Sequence, residues 1–274
     1  YDLFAPVGQS TRTYTVEEAR ALLLDLFGKF CPEMGEMMRT AFDEGWIDMY
    51  PREGKSGGAF CSGYYAKNIS RVMTNFAGSA SDVSTLAHEL GHAFNNRMLH
   101  HKPIMMTETP MPLAETASIF NETLLSHEVR KTADDETRFA LLENSLMEAT
   151  QVIVDIYSRF LFESAVFEAR KTHIPTAAEL NHMMLDAQRE SYGDGLDPDV
   201  MHPGMWINKS HYYSVGLHFY NFPYAFGGLF ARGLYAKYQQ EGEKFVPLYK
   251  EMLHATSVND VEDTAKIAGI DLTD

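Results

Sequence analysis

Residues 86–95 read LAHELGHAFN, and the rest of the chain is best understood outward from this stretch. His88 and His92 stand four apart, with Glu89 directly after the first. Residues four apart on a helix share a face, so both imidazoles can reach one ion. Glu89 is rotated to one side and can take a proton from a water at that ion, the division of labour of an HExxH hydrolytic site. Zinc suits imidazole and carboxylate donors, and its tetrahedral geometry leaves a position for water. Five-residue matches of this kind also arise by chance on surface helices, so the reading turns on what else the chain supplies.

A third ligand is needed, and MPLAETASIFNE (residues 111–122) offers Glu115, twenty-three residues after His92 on a separate expected helix. One helix, one connection and a return helix can bring it back to the ion. An acidic residue early in the apolar-rich PLAETASIF is a poor fit to a surface carboxylate. Glu122 and Ser118 follow on roughly the same face and could orient a histidine, although for Glu122 a solvated surface position fits at least as well. Gly91, inside the helix, costs up to about 1 kcal/mol relative to alanine. Close approach of substrate or backbone explains it, and so does tight packing.

Downstream, KSHYYSVGLHFYNFPYAFG (residues 209–227) is dense in Tyr and His. A hydroxyl or imidazole N–H aimed at a developing oxyanion stabilises its charge. Tyr212, Tyr213, Tyr220, Tyr224, His211 and His218 are candidates, though aromatics at helical spacing usually build core. His100, His101, His173, His182, His202 and His254 read as surface or structural. The segment ISRVMTNF (residues 69–76) reads as a strand, and as an exposed edge before the motif helix it could bind an extended peptide by strand addition. An ordinary scaffold strand fits it equally well.

The remainder reads mostly as helix. Thr15 and Glu18 have capping-box spacing before VEEARALLLDLFGKF, and Pro32 opens a second helix. Glycines punctuate residues 48–80, where GAFCSGYY and ISRVMTNF suit a small hairpin or sheet. Ser81 or Asp82 is the expected N-cap of the motif helix, which runs to about Leu99. Helices are expected from Pro112, from Asp134 to Thr172, from Thr176 with Glu179 to Tyr192, from near Tyr220 and from near Lys244. A short last one follows Asn259 and Glu262, with Gly269 past its end. GDGLDPDVMHPGMW (residues 193–206) reads as loop.

Composition narrows the function classes. The chain has 274 residues, 45% apolar, which allows a sizeable core. A net charge of −15 argues against nucleic acid, because a phosphate-binding surface needs a basic excess. No apolar run is long enough for a membrane span. Cys31 and Cys61 are the only cysteines; they read as free thiols in a reducing, cytoplasmic compartment.

Taken in order, TLAHELGHAFN, PLAETASIFNE and HYYSVGLHFYNFPYAFG resemble the thimet-oligopeptidase class of zinc peptidases, the oligoendopeptidase F branch above all. GKSGGAFCSG, TNFAGSASDVSTLAHE and SYGDGLDPD, the last followed by Trp206 and His211, extend the resemblance from YDLFAPVG to AGIDLTD. The resemblance implies a mostly helical, zincin-like catalytic domain over residues 1–274, with a small β element before the zinc helix, forming one wall of a peptide channel. It implies one zinc per chain, held by His88, His92 and Glu115, with Glu89 as general base. It also implies that His211, Tyr220 and Tyr224 flank the substrate carbonyl. The segment is a few residues longer here between His211 and Tyr220, so Tyr212 or Tyr213 could take one tyrosine role. Family members run to about twice this length, so a catalytic half without the upstream lobe and final helix is the expectation.

The leading expectation is a zinc oligoendopeptidase acting on internal bonds of short peptides. A carboxypeptidase or dipeptidyl carboxypeptidase of related fold is an alternative; it needs a cation for the substrate's terminal carboxylate, and Arg71, Lys209 and Arg232 are available. A thermolysin-like enzyme fits less well, because Glu115 follows Ala114 rather than Asn. A non-catalytic peptide-binding or scaffold module is the third reading. A purely structural zinc has no use for Glu89 and is usually enclosed by four protein ligands, often cysteines. The oligomeric state is not legible.

Overall fold

Helix α1 (Val16–Phe30) begins where its sequence says it should. Thr15 Oγ1 accepts from the Glu18 amide at 3.1 Å, and Glu18 Oε2 accepts from the Thr15 amide at 2.8 Å. Its buried residues Ala19, Leu23, Phe27 and Phe30 recur at helical spacing and make one apolar stripe. Pro32 starts α2 (Pro32–Asp43), which turns Met34, Met37, Met38 and Ala41 into the same core. This computed structural model describes residues 12–273; YDLFAPVG (residues 1–8) and Asp274, at the ends of the family resemblance, lie outside them.

Three strands follow: β1 (Ile47–Asp48), β2 (Phe60–Tyr64) and β3 (Ile69–Met73), in the order β1-β3-β2. β3 pairs antiparallel with β2 from Phe60↔Met73 to Tyr64↔Ile69 and parallel with β1 at Ile47↔Val72. The expected edge role of ISRVMTNF is therefore corrected: β3 is the central strand, and β2 is an edge. The short β1 that closes its other side was too brief to read as a strand. Val72 N donates to Trp46 O and Thr74 N to Asp48 O, both at 3.0 Å.

The motif helix α3 (Ala80–Leu99) starts earlier than expected. Ser79 is the N-cap, and Asp82, expected as a cap itself, is its capping-box partner: Asp82 N donates to Ser79 Oγ and Ser79 N to Asp82 Oδ2. α4 (Thr116–Thr132) starts later than expected, because Pro112 falls in a 3₁₀ turn (Met111–Leu113). Glu115 thus occupies the N-cap position of α4, off the helix proper.

Two compact units divide the described chain, one of residues 142–226 and one of the remainder. The chain passes between them at Leu141/Leu142, within α5 (Asp135–Thr150), and at Phe226/Gly227, within α8 (Phe222–Glu241). In the larger unit, α9 (Phe245–Ala255) adds Phe245 and Tyr249 to Phe30 and Phe120, with Phe120 and Tyr249 ring centroids 4.6 Å apart. α10 (Val261–Ile267) is capped by Asp260, one residue past the expected Asn259, and Gly269 follows it at φ +70°.

In the smaller unit, the single long helix expected over 134–172 is interrupted. A π-helical turn (Gln151–Asp155) separates α5 from α6 (Ile156–Arg170). α7 (Ala177–Tyr192) has the expected Thr176–Glu179 capping box. Phe162 of α6 meets Met184 and Ala187 of α7 in the unit's core, against which Trp206 and Tyr212 pack. Buried Gln188 ties down the loop through both the amide and the carbonyl of His202. No described helix is long and apolar enough to cross a membrane. The fold is mostly helical, with one small sheet directly before the motif helix, as expected.

Candidate metal centre

α3 is buried on most of its circumference, so its orientation is fixed by packing rather than by the histidines. Leu86, Leu90, Phe94 and Leu99 are among the largest fully buried side chains. α4 lies against it so closely that a Cβ on Gly91 would stand 2.7 Å from both Ala117 O and Ser118 Cα. Of the readings open for Gly91, close approach of neighbouring backbone is the one found. Buried Asn121 of α4 locks the crossing by donating to Ala87 O at 3.0 Å. The turn before α4 consequently sits over His88 and His92, and Glu115 reaches back to them.

His88 Nε2 is 3.2 Å from His92 Nε2 and 3.2 Å from Glu115 Oε2, and His92 Nε2 is 3.4 Å from the same oxygen. Zinc bonds of about 2.0–2.2 Å at the tetrahedral angle place neighbouring donors about 3.3–3.6 Å apart. The three observed separations, 3.2, 3.2 and 3.4 Å, come within about 0.1 Å of three corners of such a tetrahedron. Among the described residues, this is the group of three His, Cys, Asp or Glu side chains able to share an ion. Neither cysteine takes part; both are free thiols.

Electrostatics favour a cation here. Burial opposes an imidazolium at His88, but hydrogen bonds to Glu115 and Glu122 outweigh it and push its pKa up to about 10. Burial likewise opposes charge on Glu115, yet hydrogen bonds from His88 and His92 hold its carboxyl well below the usual range. Burial raises the pKa of Glu89. Its Oε2 is buried without a hydrogen-bond partner, a state that a water at a bound ion would relieve.

Two neighbours complete the arrangement. Glu122, for which a surface position fitted equally well in sequence, contacts Nδ1 of His88 with Oε1. Ser118 does not orient a histidine: its hydroxyl donates to Glu115 Oε2 at 2.9 Å. The spacing Glu115, Ser118, Glu122 was visible in the sequence; the partner of each was not. His101 and His254 are structural as expected, both donating from Nδ1 to Met98 O at the end of α3.

The candidates in the smaller unit form a group of their own. The His211 ring lies 4.4 Å from that of Tyr212 and 5.7 Å from that of Tyr220, and the Tyr220 and Tyr224 hydroxyls are 3.1 Å apart. Tyr212 packs on Phe162, with its hydroxyl buried; Tyr213 is 61% exposed and donates to Ile207 O. His218 stands edge-on to Phe167. Burial, then Arg159 and Lys209, lowers the pKa of His211. Sequence reading missed a buried network here. Asp155 accepts from Arg159 and from the Tyr192 hydroxyl, and Arg159 donates to Asn221 Oδ1 at 3.0 Å, beside Tyr220. The i,i+4 pair Asp155–Arg159 was its one visible signal. Of the cations considered for a terminal carboxylate, Arg71 and Arg232 donate to the backbone carbonyls of Gly45 and Gly228.

Residues 30–274 match the family model described as Peptidase family M3. The chain is 28% identical to oligopeptidase PepF of Bacillus subtilis, covering 100% of this chain and 41% of that protein. It is 29% identical to the chromosomal oligoendopeptidase F of Lactococcus lactis subsp. cremoris, over 83% of this chain and 38% of that protein. Among solved structures, PZ peptidase A with inhibitor 2 superposes with a TM-score of 0.78 at 19% identity, over 97% of this chain and 46% of that one. Oligoendopeptidase-F from Enterococcus faecium gives 0.60 at 18% identity, over 97% and 43%. These structures establish likeness of fold. The chain spans less than half the length of the curated relatives it matches.

Proposed function

Because the chain belongs to peptidase family M3, we propose that it serves a zinc oligoendopeptidase that hydrolyses internal bonds of short peptides. His88, His92 and Glu115 hold one zinc ion per chain, and residues 1–274 make one zinc metallopeptidase catalytic domain. The observation that carries this reading is the donor triangle of 3.2, 3.2 and 3.4 Å, with Glu89 next in sequence to His88 and its Oε2 buried without a hydrogen-bond partner. When bound, zinc supplies Lewis acidity, lowering the pKa of a water from about 15.7 to about 7 and polarising the scissile carbonyl.

The chain's own groups do the rest. Glu89 takes the proton of the attacking water and passes it to the leaving amine nitrogen. Glu122 holds the His88 ring by Nδ1, so Nε2 stays available as the donor. Ser118 fixes the oxygen of Glu115 that faces both histidines. An extended peptide aligns along the free edge of β2, which reads backbone rather than side chain. His211, Tyr220 and Tyr224 stabilise the oxyanion, a role supported by the family resemblance and by the Tyr220 ring, which neighbours both His211 and Tyr224. A cytoplasmic setting agrees with two free thiols.

The test pairs metal content with turnover. Elemental analysis is expected to give one zinc per chain in the wild type and in Glu89→Gln. An internally quenched peptide with both termini blocked should be cleaved by the wild type alone. Cleavage by Glu89→Gln would reject the base, and absence of zinc after reconstitution would reject the ligand set. A requirement for a free C-terminus would favour the carboxypeptidase reading.

A further inference from the structure

A second concavity in the larger unit lies off the metal centre. It has a volume of about 190 Å³ and opens between the β2–β3 turn and the last turns of α3. Its α3 wall runs from Ala93 to His100, and none of His88, His92 and Glu115 lines it. Trp46, Tyr64 and Tyr65 give it aromatic walls. Asn96 braces it by donating to Ser70 Oγ at 3.2 Å, and the His100 ring packs 4.9 Å from that of Tyr65.

Its charge runs against that of the chain. The sequence has 38 acidic and 23 basic residues, yet no Asp or Glu lines this cavity, while Arg97 does. Tyr65 is held in this wall by donating its hydroxyl to Lys102 O at 2.5 Å. Among the described residues, the Arg97 side chain makes no ion pair. In a chain so rich in carboxylates, an arginine at a concavity that no carboxylate lines favours an anion brought from outside.

We propose that this cavity is a second binding site, for a small monocarboxylate with an apolar or aromatic body, of amino-acid to dipeptide size. The Arg97 guanidinium matches a carboxylate as a two-pronged donor, which an ammonium does not. Trp46, Tyr64 and Tyr65 take the apolar body, which a bare inorganic anion lacks. The cavity has room for several water-sized groups, and so for more than a carboxylate alone.

The probe is N-acetyl-phenylalanine, titrated by calorimetry into protein as purified and after chelator treatment. Binding is expected in both. Arg97→Gln should weaken it about tenfold or more, as loss of a charge-assisted pair does, and Arg97→Lys should restore part of it. N-acetyl-phenylalaninamide, with the charge removed, should bind as weakly as Arg97→Gln binds the acid. Among the described residues the Arg97 side chain has no hydrogen-bond or ion-pair partner to lose, so both variants should melt like the wild type. The site is refuted if Arg97→Gln binds equally well, if the amide matches the acid, or if chelation abolishes binding, which would put the carboxylate on the metal. Displacement by an equal concentration of inorganic phosphate would refute the organic body.

Discussion

Glu122 sets its carboxylate against Nδ1 of His88, which leaves Nε2 of the same ring facing Glu115 and His92. A carboxylate at Nδ1 fixes the proton there, so Nε2 carries the lone pair. Glu122→Gln should therefore weaken zinc affinity about 10–100-fold, the usual effect of losing such a support. Competition with a chromophoric chelator measures it, and unchanged affinity would show that His88 needs no such help.

Gly91 is a packing residue, and its replacement should cost stability even though it stands between the two histidines. The atoms that a Cβ would meet are backbone atoms of α4 and cannot swing away. Gly91→Ala should destabilise the fold by about 1–3 kcal/mol, offset in part by the better helix propensity of alanine. Urea unfolding of the chelator-treated protein reads this directly. A variant at least as stable as the wild type would mean that α4 can shift without penalty.

If Tyr224 donates a lone hydrogen bond to the oxyanion, Tyr224→Phe should lower kcat by about 10²–10³ and leave KM near its starting value. Its hydroxyl is 3.1 Å from that of Tyr220, so the Tyr220→Phe variant is the necessary companion. An effect confined to KM in both would remove the pair from the chemistry.

Burial pushes the Cys61 thiol up to about 12. An unfolded thiol ionises near 8.5, so the neutral folded form favours folding fully below that pH, and the benefit is lost as the pH rises towards 12. At pH 9, iodoacetamide should modify Cys61 far more slowly in folded protein than in urea. Peptide mapping separates it from Cys31, and equal rates at Cys61 in both states would contradict a half-buried, neutral thiol.

The helical class, the capping boxes at Thr15 and Thr176, the small sheet before α3 and the identity of the candidate metal donors are all legible along the chain. These are local signals: a period of 3.6, a cap three residues from its partner, two histidines one helical turn apart. The partner of each donor comes from the packing of distant segments. Glu115 is a ligand candidate because Gly91 lets α4 approach α3, and Glu122 serves His88 because that crossing turns it inward. The order of the strands was equally out of reach, since residues 47–48 gain a strand geometry only from pairing with β3. The π-helical turn that ends at Asp155, one turn before Arg159, also has no local pattern. Contacts between segments distant in sequence depend on how whole faces pack, and no short window of residues carries that information.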